Sequence, residues 1–347
     1  MKKAAFSLFF LLAAIVGLAQ SADKEPYLTK TLSGEKIQNV EASTSGGSIS
    51  VTGVSQAEAK IDVIITGNGN NWNNISKDEI KKRLDEDYDL TIEAKDGKLT
   101  AKAKRKNRDN DDWKRSLNIS FRIYVPQAVS TNLATSGGSI SLKSLTGTQD
   151  FTTSGGSLNV DGLSGKIKGR TSGGSITLRD SKDNIDLNTS GGSITAENCS
   201  GNLRLGTSGG SLHLAKLKGT IDANTSGGSV HGDEIDGDLS AHTSGGNVDL
   251  KDISGNLETS TSGGNIDVEL VNPGKSVRIT NSSGSIDLTL PKSKGMNLDL
   301  HGDRVKVDRL DHFSGDTDEH SIVGTLNGGG GRVYANAGSG RVYVTLK

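Results

Sequence analysis

The chain has 347 residues, of which 32 % are hydrophobic and 4 % aromatic, with 46 glycines and a formal net charge of −1. A conventional globular core is thinly supplied, and so even a charge balance offers no basic patch to a nucleic acid. The single cysteine, Cys199, excludes disulfides within the chain.

The first residues read as an export signal. Lys2 and Lys3 precede an apolar run from Ala4 to Leu18, too short for a membrane span, and Gly17-Leu18-Ala19 places cleavage before Gln20. No cysteine follows the run, which argues against a lipid anchor, and no other segment is apolar enough to cross a membrane as a helix. The expected destination is the periplasm, the outer cell surface or the medium.

Residues 20–134 read as irregular coils carrying a short helix and a hairpin. An isolated "TSGGSISVTGV" begins at Thr44 and is followed by the alternating Ile61, Val63 and Ile65. Ser76 and Glu79 have capping-box spacing, Ile75 and Ile80 can staple the helix start, and Ile80, Leu84 and Tyr88 form its apolar stripe. "DLTIEAKDGKLTAKAK" reads as a hairpin turning at Asp96-Gly97. "RKNRDNDDWKR" reads as a solvated charged loop, and Leu117 to Val125 alternate as a strand that stops at Pro126.

From Thr135 the chain becomes periodic. Thr135, Thr153, Thr171, Thr189, Thr207, Thr225, Thr243 and Thr261 each open a T-S-G-G motif, at a step of 18 residues. Counted from that Thr, apolar residues fall at positions six, eight, eleven and fifteen, and often seventeen. Spacing of two within each pair predicts strands; the glycines at three, four and thirteen predict tight corners. One copy cannot bury its few aliphatic side chains, but stacked copies can, at about 4.8 Å per rung. The eight coils would rise roughly 40 Å. The Thr should form a buried column of hydroxyls bonding along the stack.

The charges support the same register. Position nine reads Lys143, Asp161, Arg179, Glu197, Ala215, Asp233, Lys251, Glu269, and position sixteen reads Asp150, Lys168, Asp186, Arg204, Asp222, Ser240, Glu258. Signs mostly alternate, as parallel stacking of equivalent positions requires. The last copy carries an insertion at Asn272-Pro273, after which the pattern recovers at Val277 and Ile279. Residues 135–280 are therefore the regular solenoid and 281–347 its final coils and cap, with Arg332–Tyr334 and Arg341–Val344 finishing the stack. The predicted class is all-β: a single-stranded parallel β-solenoid (β-helix) with coils of about 18 residues and a small helix-bearing insertion near the N-terminus.

The "TSGGSI" copies, the entry segment "ISFRIYVPQAVSTNLATSGGSISL" and the exit "SSGSIDLTLPKSKGMNLDLHG" with "GTLNGGGGRVYANAGSGRVYV" resemble the bacterial putative-adhesin family, secreted domains of unknown function. The resemblance covers roughly residues 30–347 and implies a β-solenoid at the cell envelope. It supplies no catalytic residues to carry over.

The residues with metal-ligand chemistry are His213, His231, Asp249 and Asp267, all at position seven on successive rungs. A closed site needs three or four ligands about 2 Å from one ion, and a straight column converges poorly, so these are read as exposed polar residues and no metal or cofactor is assigned. The repeat turn lacks the recurring Asp of calcium-binding nonapeptides. Asp316, Asp318 and Glu319 read as a solvated acidic loop. The Gly328–Gly331 run lacks the Lys-Ser/Thr of a phosphate loop and reads as a turn. Cys199, at position eleven, reads as a buried small hydrophobe. An inward Thr column argues against an ice-binding array. Trp72 and Trp113 lie outside the repeats, so no aromatic platform for sugars recurs along the coils.

These features point to a non-catalytic secreted or envelope scaffold, adhesin-like, offering a rigid polar surface to a polysaccharide or a surface protein. The alternative is a carbohydrate-active enzyme, a polysaccharide lyase or hydrolase on a β-helix, because stacked carboxylates meet the 5–9 Å criterion at many places. An envelope-stress or signalling accessory is a third class that the residues do not separate from the first.

Overall fold

The structure, a computed structural model, describes residues 25–67, 75–106 and 115–347. The export segment, both tryptophans and most of the charged loop lie outside the described residues. Each 18-residue repeat is one coil with two strand runs. In the coil opening at Thr171 these are Ile176–Arg179 and Lys182–Thr189. From Ile194 onward the two runs join into longer strands: Ile194–Thr207, Leu212–Asn224, Val230–His242 and Val248–Thr261. Successive coils pair in parallel, like residue over like: Ile176 with Ile194, Ile194 with Leu212, Leu212 with Val230. The parallel β-solenoid read from the repeats is the fold.

Alternation along each run decides what is inside. In the coil at Thr207, Leu212, Leu214, Leu217, Ile221 and Ala223 are each at most 2 % exposed. Bulk is traded between rungs. Phe151, Gly169 and Leu187 stack at position seventeen, and a Cβ on Gly169 would fall 2.4 Å from the Phe151 ring. Glycine there leaves room for the only aromatic side chain in that row.

The corners differ in part from the expectation. Gly at position thirteen does take positive φ, as at Gly201 (111°) and Gly219 (120°). The pair at three and four lies outside that region. Position four needs glycine for a different reason: a Cβ on Gly174 would sit 2.0 Å from the carbonyl oxygen of Gly156 one coil below. A third corner, at position ten, is left-handed without glycine in most coils, at Asp180 (50°), Asn198 (55°), Lys216 (55°), Glu234 (53°) and Asp252 (52°). The buried Thr column forms, but its hydroxyls bond to backbone. Thr171 Oγ1 donates to Gly156 O at 2.8 Å and accepts from Gly174 N at 3.2 Å, and the pattern repeats at Thr189, Thr207, Thr225, Thr243 and Thr261. In the next coil Asn281 replaces Thr, donating to Gly264 O and accepting from Gly284 N.

The N-terminal copy at Thr44 is the rung directly below the one at Thr135. Strand Asn39–Thr44 pairs in parallel with Ser130–Thr135, and Ile49–Val54 with Ile140–Lys143. The intervening chain leaves the stack and returns beneath it, where Lys98–Arg105 and Leu117–Pro126 pair in parallel with those same two strands. The hairpin turns at Asp96 and Gly97, both with positive φ. Helix Lys77–Asp87 buries Ile80 and Leu84, with Tyr88 just past its end; Ser76 caps it by accepting from Glu79 N, while the Glu79 carboxylate binds Arg83 rather than closing the box.

The C-terminal end departs from the expectation. Strand Gly331–Leu346 does not finish the stack. It lies between Ile266–Asn281 with Ile286–Leu290 on one side and Met296–Val307 on the other, parallel to all three. The antiparallel pair Ser321–Leu326 and Phe313–Thr317 covers the edge of Met296–Val307. Strand order along the stack thus differs from chain order, and a late strand is protected on both sides rather than left as an edge.

Candidate functional site: the outward columns

With positions six, eight, eleven, fifteen, seventeen and one turned inward, function rests on the outward columns and on what stacking does to them. At position seven His213 and His231 are partners in register, their rings stacked at 5.2 Å between centroids and 6° from parallel. His231 Nδ1 lies 3.9 Å from Asp249 Oδ2. Asp249, Asp267 and Asp287 continue the column as register partners. Parallel rings aim their nitrogens side by side, and among the described residues no group of three or more His, Cys, Asp or Glu is placed to share one ion. The carboxylates crowd instead. Burial first, then the charges of Asp249 and Asp287, raise the Asp267 pKa above the usual carboxylate value. Asp249 Oδ1 accepts no hydrogen bond and faces Lys251 Nζ at 3.7 Å.

The alternating charges form rung-to-rung pairs: Lys143–Asp161 (3.2 Å) and Arg179–Glu197 (3.3 Å) at position nine, Arg204–Asp222 (3.3 Å) at sixteen, and Lys218–Asp236 (3.1 Å) at twelve. Each is exposed and worth about 0–1 kcal/mol. Their collective effect is to penalise slippage, since a shifted rung sets like charges together.

A second device, missed from the sequence, links positions sixteen and eighteen along a strand. Asn188 donates to Asp186 at 2.6 Å, and His301 Nε2 contacts Asp299 at 2.7 Å. Ser240 Oγ with His242 Nε2 at 2.9 Å, and His242 Nδ1 with Ser260 Oγ at 2.8 Å, belong to the same ladder. The polar–x–polar spacing was the available signal. The position-five column adds backbone-to-side-chain steps, such as Ser211 N to Ser193 Oγ at 3.1 Å.

The other sequence candidates resolve locally. Cys199 is 2 % exposed, and burial pushes its thiol pKa up to about 11. Asp318 accepts from His320 N and Ser321 N, each at 2.7 Å, which lowers its pKa and closes a turn; Glu319 faces Arg304 at 3.6 Å. Gly328 and Gly329 have positive φ and form the expected turn.

A long concavity lies on the second run, between columns fourteen and sixteen. A cavity of about 500 Å³ extends from Lys166 to Asp222, and one of about 330 Å³ from Thr220 to Arg278. They share Thr220 and Asp222, and so form one shallow groove along the stack. Arg278, at one end of the groove, packs its guanidinium 4.6 Å from the Tyr334 ring.

A long parallel stack with outward polar ladders and an axial groove defines the class: a β-solenoid of the toastrack type. Residues 179–345 match the toastrack DUF4097 family. That bears out the resemblance read from the repeats and the exit segment; the rungs before Arg179 continue the same stack. A putative cell adhesion protein from Clostridium sporogenes, of known crystal structure, is similar at 14 % identity, over 92 % of this chain and 98 % of that one, with a TM-score of 0.20. No curated protein matches the chain. Among the described residues no helix is long and apolar enough to cross a membrane.

Proposed function

We propose that this is an exported, non-catalytic scaffold of the cell envelope that binds its partner along the solenoid, in the manner of an adhesin. The observation that supports the reading most is the register of exposed polar side chains. Equivalent groups recur at every rung on a backbone whose close approaches, as at Gly174 over Gly156, leave little freedom. Such a surface binds through many weak contacts at fixed spacing, so affinity comes from multiplicity. Four of the outward carboxylates are spent on neighbours: Asp161, Glu197, Asp222 and Asp236 each face a cation one rung away. That use suits a binding face better than an acid–base pair, which needs two carboxylates in distinct environments.

The test is a glycan array probed with the chain from Gln20 onward, read beside release of reducing ends from the glycans bound. Binding without cleavage is expected. Turnover that a single carboxylate substitution abolishes would replace this reading with the polysaccharide-cleaving one.

A further inference from the structure

One strand carries three cations that make no ion pair among the described residues. Strand Ser164–Thr171 turns Lys166, Lys168 and Arg170 outward in a row across the sheet. Their register partners are Thr148, Asp150 and Thr152 below and Asn184, Asp186 and Asn188 above. Asp150 and Asp186 flank Lys168, yet among the described residues none of the three cations makes an ion pair, and Asp186 is taken by Asn188. Elsewhere in the repeats Lys143, Arg179, Arg204, Lys218 and Lys251 each have a carboxylate within 4 Å, and Lys182 and Lys216, without one among the described residues, stand singly rather than three to a strand. The unpaired row lies at the mouth of the 500 Å³ part of the groove, where Lys166 and Lys168 are lining residues.

We infer that this groove binds an acidic polysaccharide, with Lys166, Lys168 and Arg170 taking its acid groups. The inference rests on the binding-protein reading above and specifies its ligand. Above the cationic row the column-fourteen wall changes to hydrogen-bonding groups, Asn184, Asn202 and Thr220, with Asn202 Nδ2 donating to Asn184 Oδ1 at 3.1 Å, while the column-sixteen wall carries Asp186 and the Arg204–Asp222 pair. Amides and hydroxyls at one-rung intervals suit the recurring hydroxyls of a sugar chain lying along the stack. Farther along, Asp238 and Glu258 line the groove. These would repel a polymer charged at every unit, so a nucleic acid suits the groove poorly. A glycan with acid groups on some units can place them on the cationic row and its neutral units beyond.

The probe is polygalacturonate, and the assay is affinity gel electrophoresis with calorimetry on the chain from Gln20 onward. The fully methyl-esterified polymer serves as the neutral counterpart and single-stranded DNA as the competing polyanion. The triple variant K166Q/K168Q/R170Q removes the row. The triple variant K143Q/R179Q/K251Q removes the same charge from the position-nine face. Binding to polygalacturonate should weaken with salt and fall at least ~10-fold in the first variant, and less than ~2-fold in the second. Equal losses in the two variants, equal binding of the ester, tighter binding of the DNA, or no binding by the folded chain would each overturn the inference. All four outcomes leave the broader reading intact. Release of reducing ends would instead remove that reading.

Discussion

Two adjacent glycines should respond to the same substitution with opposite sign. A Cβ on Gly192 would fall 2.2 Å from Gly174 O, 2.4 Å from Gly174 C and 2.6 Å from Ser175 N, all backbone of the coil below. No rotamer change relieves such a contact, because no side chain is involved. The rung must lift by about 1 Å to reach ordinary van der Waals separation. Lifting strains the bonds that hold this corner: Thr189 Oγ1 to Gly174 O of the coil below at 2.8 Å and Gly192 N to Thr189 Oγ1 at 3.3 Å. Two weakened hydrogen bonds at about 1 kcal/mol each, with overpacking strain of about 1–3 kcal/mol, place the cost of Gly192→Ala at about 3–5 kcal/mol. Gly191 differs. Its Cβ would meet nothing nearer than 3.5 Å, and its φ lies outside the left-handed region. Gly191→Ala should therefore be neutral or stabilising by about 0.4–1 kcal/mol, through the lost freedom of the unfolded chain. Thermal unfolding followed by circular dichroism separates the two. A fall of roughly 5 °C or more is expected for Gly192→Ala, and none for Gly191→Ala. Equal midpoints for the two variants would refute the close approach of successive corners, and the stacking register with it.

Three other outcomes follow from particular contacts. Gly169→Ala should cost about 1–3 kcal/mol against the Phe151 ring, and Phe151→Leu should recover part of that loss in the double variant, as urea unfolding midpoints would record. Thr171→Val leaves Gly156 O and Gly174 N without the hydroxyl that serves both, and should cost about 1–3 kcal/mol by the same measurement. With its thiol pKa near 11, Cys199 is about one part in a thousand thiolate at pH 8, so a disulfide reagent should label it only after unfolding. Because the folded pKa is raised, the stability Cys199 contributes is complete below the unfolded value near 9 and is lost as pH rises toward 11. Cys199→Ala should flatten that decline.

The periodic part of the fold was legible because stacking turns sequence period into spatial contact. Once Ile176 lies over Ile194, every column follows, and the alternating charges give an independent reading of the same register. The position-ten corner was hidden because Asp180, Asn198, Lys216 and Glu234 share a backbone conformation but no residue type. Local hydrogen-bonding side chains ease left-handed φ at Asp and Asn; at Lys216 and Glu234 the neighbouring rungs impose it. The placement of Gly331–Leu346 inside the stack was hidden for a different reason. Arg332 to Tyr334 alternates as any strand does, and alternation states which side faces inward without stating which strand is the neighbour.

The same logic decides where function should be sought. In a solenoid whose neighbours are fixed, a charged side chain has its partner assigned by the repeat, so paired columns are accounted for by register alone. A group of like charges left without partners inside the fold is the part of the surface free to meet a ligand outside it. Two departures stand out on the outer faces: the crowded aspartates Asp249, Asp267 and Asp287, and the unpaired cations of Ser164–Thr171. The aspartates are partly relieved within the chain, by Lys251 beside Asp249 and by the raised pKa of Asp267. The cations form no ion pair with the flanking rungs, and Lys166 and Lys168 line the groove that can admit a polymer, with Arg170 on the same strand beside them. The ligand is therefore better sought at Lys166, Lys168 and Arg170 than at the histidine–aspartate column, although that column has the more suggestive residue types.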